Sequence, residues 1–258
     1  MSNSIKGILN NKEILNYYKE GSIKIDPFNE KRINPTSYDI SIGPYFYREK
    51  TPLTNQLNTF LLSISIISLF LLDFHIILFL LQIFLILLFL DLRNRPYILN
   101  PYNNESIKKC WKLHKAINFS EYDLDNIFSE LSEKDSIILV NPGETILCST
   151  EEFIGSIKDC NPQLLCKSSW GRNFLSICKC SSWGNIGFIN RWTLEITNNS
   201  RFHTIPIVVG QPIGQIVFHS SNTPDELYSG NYQNTYNLET LKQNWKPENM
   251  LPRVNYVN

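Results

Sequence analysis

An all-β sandwich or barrel is the architecture to expect from this chain of 258 residues, on three grounds. Short alternating runs recur along it, turn residues separate them at close spacing, and one run keeps its apolar side chains on a single face. The chain opens on an amphipathic helix, with Ile14, Leu15 and Tyr18 at helical spacing and Gly21 as its stop. Residues 22–28 then alternate as a strand and turn at Pro27, and residues 34–43 form a turn that feeds a second alternating strand. The pattern returns with Ser136–Val140, the turn Asn141-Pro142-Gly143 and the run Glu144–Cys148. Further on, Asn190–Asn198 alternates with Trp192, Leu194 and Ile196 on one face and Thr193, Glu195 and Thr197 on the other.

Charge narrows the function classes. Lys plus Arg and Asp plus Glu number 24 each, so no basic field draws the chain to nucleic acid, and an anionic ligand needs local cations. The first 21 residues lack a basic stretch followed by an apolar one, which predicts no signal peptide and a cytoplasmic protein. Six scattered cysteines without a C-x-x-C pair are expected to be reduced and structural, and Cys178-Lys179-Cys180 reads as a half-exposed strand. His114, His203 and His219 have no partner pattern and read as structural or surface residues.

One segment breaks the pattern. Residues 60–90 are almost entirely Phe, Leu, Ile and Ser, long enough for one bilayer span, with Asp73 as the only formal charge. A single span would put two halves of one β-domain on opposite faces of a membrane. Three readings stay open: a membrane-inserting segment, a buried or partner-binding helix, and a translated non-coding insertion. Membrane contact is expected only through these residues.

Three later stretches carry chemistry. In Cys166–Arg172 two adjacent hydroxyls, Ser168 and Ser169, stand between Lys167 and Arg172, a set suited to phosphate oxygens. Trp183–Phe188 is a glycine-punctuated hairpin that brings backbone close to a flat base. Glu195 is a carboxylate in a core-like strand, which costs free energy unless it is paired or catalytic, and Arg172 is its obvious partner. A plain buried ion pair is the competing reading for these two residues.

Lys167-Ser168-Ser169-x-x-Arg172 resembles the R-S-S-x-x-R motif of the dCTP deaminase/dUTPase superfamily, and Glu195 lies at a similar spacing to the catalytic Glu of its deaminase branch. Ser37–Gly43, Pro142–Leu147, Gly210–Phe218 and Tyr228–Gln233 resemble four further motifs of that family, in the same order. The resemblance covers most of residues 7–48 and 95–233. It implies a distorted, jelly-roll-like β-barrel of the dUTPase type with a short N-terminal helix, assembled as a homotrimer with shared sites. The activity implied is hydrolytic deamination of dCTP to dUTP and ammonia, at a cyclic amidine C–N bond. No zinc takes part, and magnesium enters with the triphosphate. Glu195, Ser168 and Arg172 are then catalytic: Glu195 moves the proton, Ser168 holds the water and Arg172 orients Glu195 and the base. Lys167 and Ser169 bind phosphate, Trp183, Gly184, Asn185, Ile186 and Gly187 read the base, and Tyr232 and Gln233 cover the phosphates.

The chain departs from the pattern at several positions. Lys167 replaces an Arg and loses its bidentate fork. Trp170-Gly171 replaces Leu-Ala, and Asn231 replaces a cation. Asn185 stands where dUTPases carry a water-activating Asp, which counts against pyrophosphatase chemistry because an amide is no general base. The alternatives are a dUTP pyrophosphatase, a bifunctional enzyme, and a non-catalytic nucleotide-binding descendant. The expected organisation is residues 1–50 as the helix and first strands, 51–93 as the hydrophobic insertion, 94–238 as the rest of the domain, and 239–258 as an irregular arm packing on a neighbouring subunit.

Overall fold

The structure, a computed structural model, describes residues 7–50, 98–121, 130–233 and 235–255, with positions 63, 81 and 83–88 between them. The hydrophobic segment 51–93 otherwise lies outside the described residues, among which no helix is long and apolar enough to cross a membrane. The chain divides into two compact units, one of Met1–Arg48 with Lys112–Arg253 and one of Glu49–Trp111 with Val254–Asn258.

The first unit begins with helix α1 (Asn11–Lys19). Asn10 caps it by accepting from the backbone N–H groups of Lys12 and Glu13 at 3.0 and 3.1 Å. Glu13 reaches back to the Asn10 N–H at 2.9 Å, completing a capping box. Ile14 is buried, Tyr18 stacks on Phe28 at 3.9 Å, and Gly21 follows the helix with φ +80°. The opening sequence thus makes the helix its periodicity predicts.

The body is one nine-stranded antiparallel sheet among the described residues, ordered β8-β12-β3-β7-β10-β9. These strands are β3 (Ser37–Glu49), β7 (Thr145–Ser156), β8 (Cys160–Cys166), β9 (Leu175–Ser176), β10 (Ile189–Asn198) and β12 (Pro212–Ser220). Short strands β1 (Ile23–Asp26), β2 (Ile33–Asn34) and β4 (Trp111–Lys115) add to it. A bridge between Gln163 on β8 and Trp183, beyond β9, brings the chain back to the first strand, so the sheet nearly closes into a barrel. Strands β5 (Ile117–Asn118), β6 (Ser136–Val140) and β11 (Ile205–Val208) form a second, three-stranded sheet. The expected all-β barrel with a short N-terminal helix is the fold observed. In the second unit, helix α2 (Asn104–Cys110) starts at Asn103, whose side chain accepts from the Ser106 N–H at 2.9 Å.

The interior is built by alternation. Ile40, Ile42, Ile146, Cys148, Leu194, Ile196, Ile216 and Phe218 are all fully buried. Burial pushes the Cys160 thiol up to about 12 and raises that of Cys148 as well, so both behave as small apolar residues.

Two expectations of local structure need correction. The residues after Leu238 are not irregular: they include helix α4 (Leu238–Asn244) and a 3-10 turn (Pro247–Met250). Leu241 packs with Phe153 and Ile189, and Trp245 and Phe153 sandwich the Arg191 guanidinium at 4.8 and 5.2 Å. This apolar face of the chain's own sheet gives Leu241 and Trp245 a place to pack. Residues 178–180 are a bend, not a strand, and Cys180 has φ 63°.

Candidate active site

The short helix α3 (Ser168–Arg172) follows β8 directly, with Lys167 at its N-cap. Ser168, Ser169 and Arg172 are exposed, while Trp170 pins the turn by donating from Nε1 to the Pro212 carbonyl at 2.9 Å. Lys167 does not point freely outward. Its ammonium meets Asp39 Oδ2 at 2.6 Å, a partner 128 residues away that sequence reasoning missed. The S-Y-D run singled out the strand but gave no sign of the pairing.

Glu195 lies on β10 opposite Leu147, on the face away from the buried Trp192, Leu194 and Ile196. It accepts from the Lys179 N–H at 3.2 Å. Burial pushes the neighbouring Cys178 thiol up, and the charge of Glu195 adds to that shift. Among the described residues no hydrogen bond or ion pair joins Arg172 to Glu195. The two are related through β9, which leads on from α3 and pairs with Thr197 and Asn198, just beyond Glu195.

The hairpin 183–188 sits at the other end of β10. Trp183 is 55% exposed and leans on His219 with ring centres 5.6 Å apart. The buried Gly184 donates to the Pro162 carbonyl at 2.8 Å, and a Cβ there would lie 2.7 Å from Pro162 and Trp192. Ile186 is buried and accepts from the Tyr228 N–H at 2.9 Å, whereas Asn185 is exposed. Asn185 and Ile186 line a cavity of about 400 Å³ with Asn161, Asn222, Glu226 and Tyr228.

Gly187 donates to Ser156 at 2.7 Å and has φ +100°; a Cβ there would lie 2.7 Å from the Tyr228 nitrogen. Gly187→Ala is therefore expected to cost about 2 kcal/mol or more, read as a fall of roughly 5 °C in Tm. A thermal melt checks this, and an unchanged Tm would show that the hairpin tolerates a side chain.

Of Tyr232 and Gln233, expected over the phosphates, Gln233 meets this hairpin and Tyr232 the start of β10. Gln233 is buried, accepts from the Ile189 N–H at 2.6 Å and donates to the Gly187 carbonyl at 2.5 Å. Asn190 donates to the Tyr232 carbonyl at 3.0 Å, and the Tyr232 hydroxyl accepts from the Arg253 N–H at 3.1 Å. The side chain of Gln233 thus completes the hairpin's own hydrogen bonding, a role no sequence motif announces.

The expected site residues therefore form two groups within one chain. Glu195 and, through β9, α3 belong to one end of β10; residues 183–187 with Tyr232 and Gln233 belong to the other. From Ile189 to Glu195 is six residues of strand, about 20 Å.

Residues 90–221 match the family model described as dCTP deaminase-like. Among curated proteins, the "dCTP deaminase, dUMP-forming" of Methanococcus vannielii is 26% identical over 238 residues, covering 90% of this chain and 91% of that one. The protein of the same name from Clostridium botulinum is 28% identical over 235 residues, covering 90% of this chain and 94% of that one. Among solved structures, the 2'-deoxycytidine 5'-triphosphate deaminase from Agrobacterium tumefaciens aligns with a TM-score of 0.46 at 12% identity, over 84% of this chain and 49% of that one.

Proposed function

The chain belongs to the dCTP deaminase-like family, and from that premise we propose that it deaminates dCTP hydrolytically at the amidine C–N bond of the cytosine ring. The observation that carries this reading is Glu195, a carboxylate set by strand alternation on the non-core face of β10. In this reading Glu195 takes a proton from water as the oxygen attacks C4, and passes protons to the ring and to the leaving ammonia. Ser168 holds the water, and Arg172 orients Glu195 and the base. Lys167 and Ser169 bind phosphate oxygens, with magnesium arriving on the triphosphate to offset its charge. The hairpin 183–187 reads the base. Placement in the cytoplasm, where deoxynucleoside triphosphates are available, goes with this reading.

The separation of the two groups along β10 supports a homotrimer in which neighbouring copies complete each site. Light scattering tests this: a fully active monomer is the result that would sink it.

A second reading concerns the product. The relatives' names say dUMP-forming, which favours a bifunctional enzyme that runs on to dUMP despite Asn185. Incubating the protein with dCTP and magnesium and resolving nucleotides by ion exchange tests both readings. Ammonia with dUTP alone is the result for the simple deaminase, and dUMP with pyrophosphate for the bifunctional one. Bound dCTP without any product would overturn both in favour of a non-catalytic binder.

A further inference from the structure

We propose that Asp39 is a positioning residue for triphosphate recognition, acting through Lys167; this rests on the reading of Lys167 as a phosphate-binding cation. Strand β12 lies between β8 and β3. Gln215 on it stands opposite Leu165 on one side and Asp39 on the other, so Asp39 shares the outer face with an exposed Leu165. Two interstrand spacings, about 9.5 Å, separate β8 from β3. Lys167, one residue past the end of β8, reaches across this gap to Asp39 Oδ2 at 2.6 Å.

Asp39 is itself fixed. Its other oxygen accepts from Asn34 Nδ2 at 2.7 Å, and its neighbour in the register, Gln215, accepts from the Ser37 hydroxyl at 2.9 Å. The Asp39 side chain is 13% exposed and that of Lys167 is 29% exposed, so the pair is screened on one side and open on the other. An ammonium has three donors, and Asp39 takes one of them. The remaining two are left for a phosphate oxygen. Lysine lacks the fixed fork of an arginine, and its flexible stem needs an external anchor to present those donors in one place. Asp39 supplies the anchor that the change from Arg to Lys makes necessary.

The test measures binding of magnesium tripolyphosphate to the full chain by calorimetry, with dCTP turnover alongside. Asp39→Asn is expected to weaken tripolyphosphate binding and raise the KM for dCTP by about tenfold, with a smaller fall in kcat. Lys167→Met should cost about as much, and the double variant no more than Lys167→Met alone, because both act on one interaction. Unchanged or tighter binding by Asp39→Asn, or losses that multiply in the double variant, overturns the proposal. Asn34→Ala loosens the anchor without removing charge and covers the case of a misfolded Asp39→Asn. It should weaken binding by about threefold, the share of one supporting hydrogen bond, and binding equal to wild type overturns the proposal. A wild-type chain that fails to turn over dCTP while Asp39→Asn still loses tripolyphosphate would sink the enzyme reading and leave this one standing.

Discussion

Glu195→Gln should lose deamination by a factor of at least about 100, and up to about 10,000, while folding and nucleotide binding persist. The substitution keeps the size of the side chain and an oxygen that can still accept from the Lys179 N–H, which lies 3.2 Å from the carboxylate. Glu195 makes no ion pair among the described residues, so little stability depends on its charge. A thermal melt near the wild-type value, with dCTP binding retained and turnover gone, is the expected combination. Turnover that survives would remove Glu195 from the chemistry altogether.

Arg32→Ala should be the largest stability loss, about 3–5 kcal/mol. Glu152 is 0% exposed and is ion-paired to Arg32. Its carboxylate also accepts from the Ser41 N–H at 3.0 Å and lies 2.8 Å from the Ser41 hydroxyl. Arg32 in turn donates to the Gly210 carbonyl at 2.9 Å, so one guanidinium links an N-terminal turn, β3, β7 and the turn before β12. Burial raises the Glu152 carboxyl above its ordinary 4.5, with Ser41 and then Arg32 opposing the shift. Without Arg32 the carboxyl rises further, and the folded chain binds a proton that the unfolded chain has already released. The variant therefore loses stability as pH climbs above about 4.5, and its deficit shrinks as pH falls toward that value. Urea melts at several pH values check this; a deficit independent of pH would show that the loss is one of packing and not of an exposed buried charge.

Much of this was legible in sequence because strand alternation is local. The faces of β10, the capped helix around Ile14 and the turn at Gly143 follow from residues a few positions apart. Long-range partners were not. Nothing near Lys167 announces Asp39, because the contact depends on which strand lies two places away in the sheet. Gln233 belongs to a motif that implies a phosphate contact, yet its side chain is used by two backbone groups of the hairpin. The C-terminal helix is hidden in sequence for a similar reason: Pro247 and Pro252 suggest an irregular tail, while Leu241 and Trp245 find an apolar face on this chain. Arg172 and Glu195 are a different case: their charges are complementary in sequence, yet no bond joins them among the described residues of one chain.

Ile189, Arg191, Thr193, Glu195 and Thr197 share the outer side of β10, and helix α4 with Trp245 roofs the first two. Farther along, Thr193, Glu195 and Thr197 are half-buried, and the Lys179 N–H closes on the carboxylate from the other end. The outer side of β10 is thus held at its two ends by different segments, the C-terminal helix against Arg191 and the bend around Lys179 against Glu195.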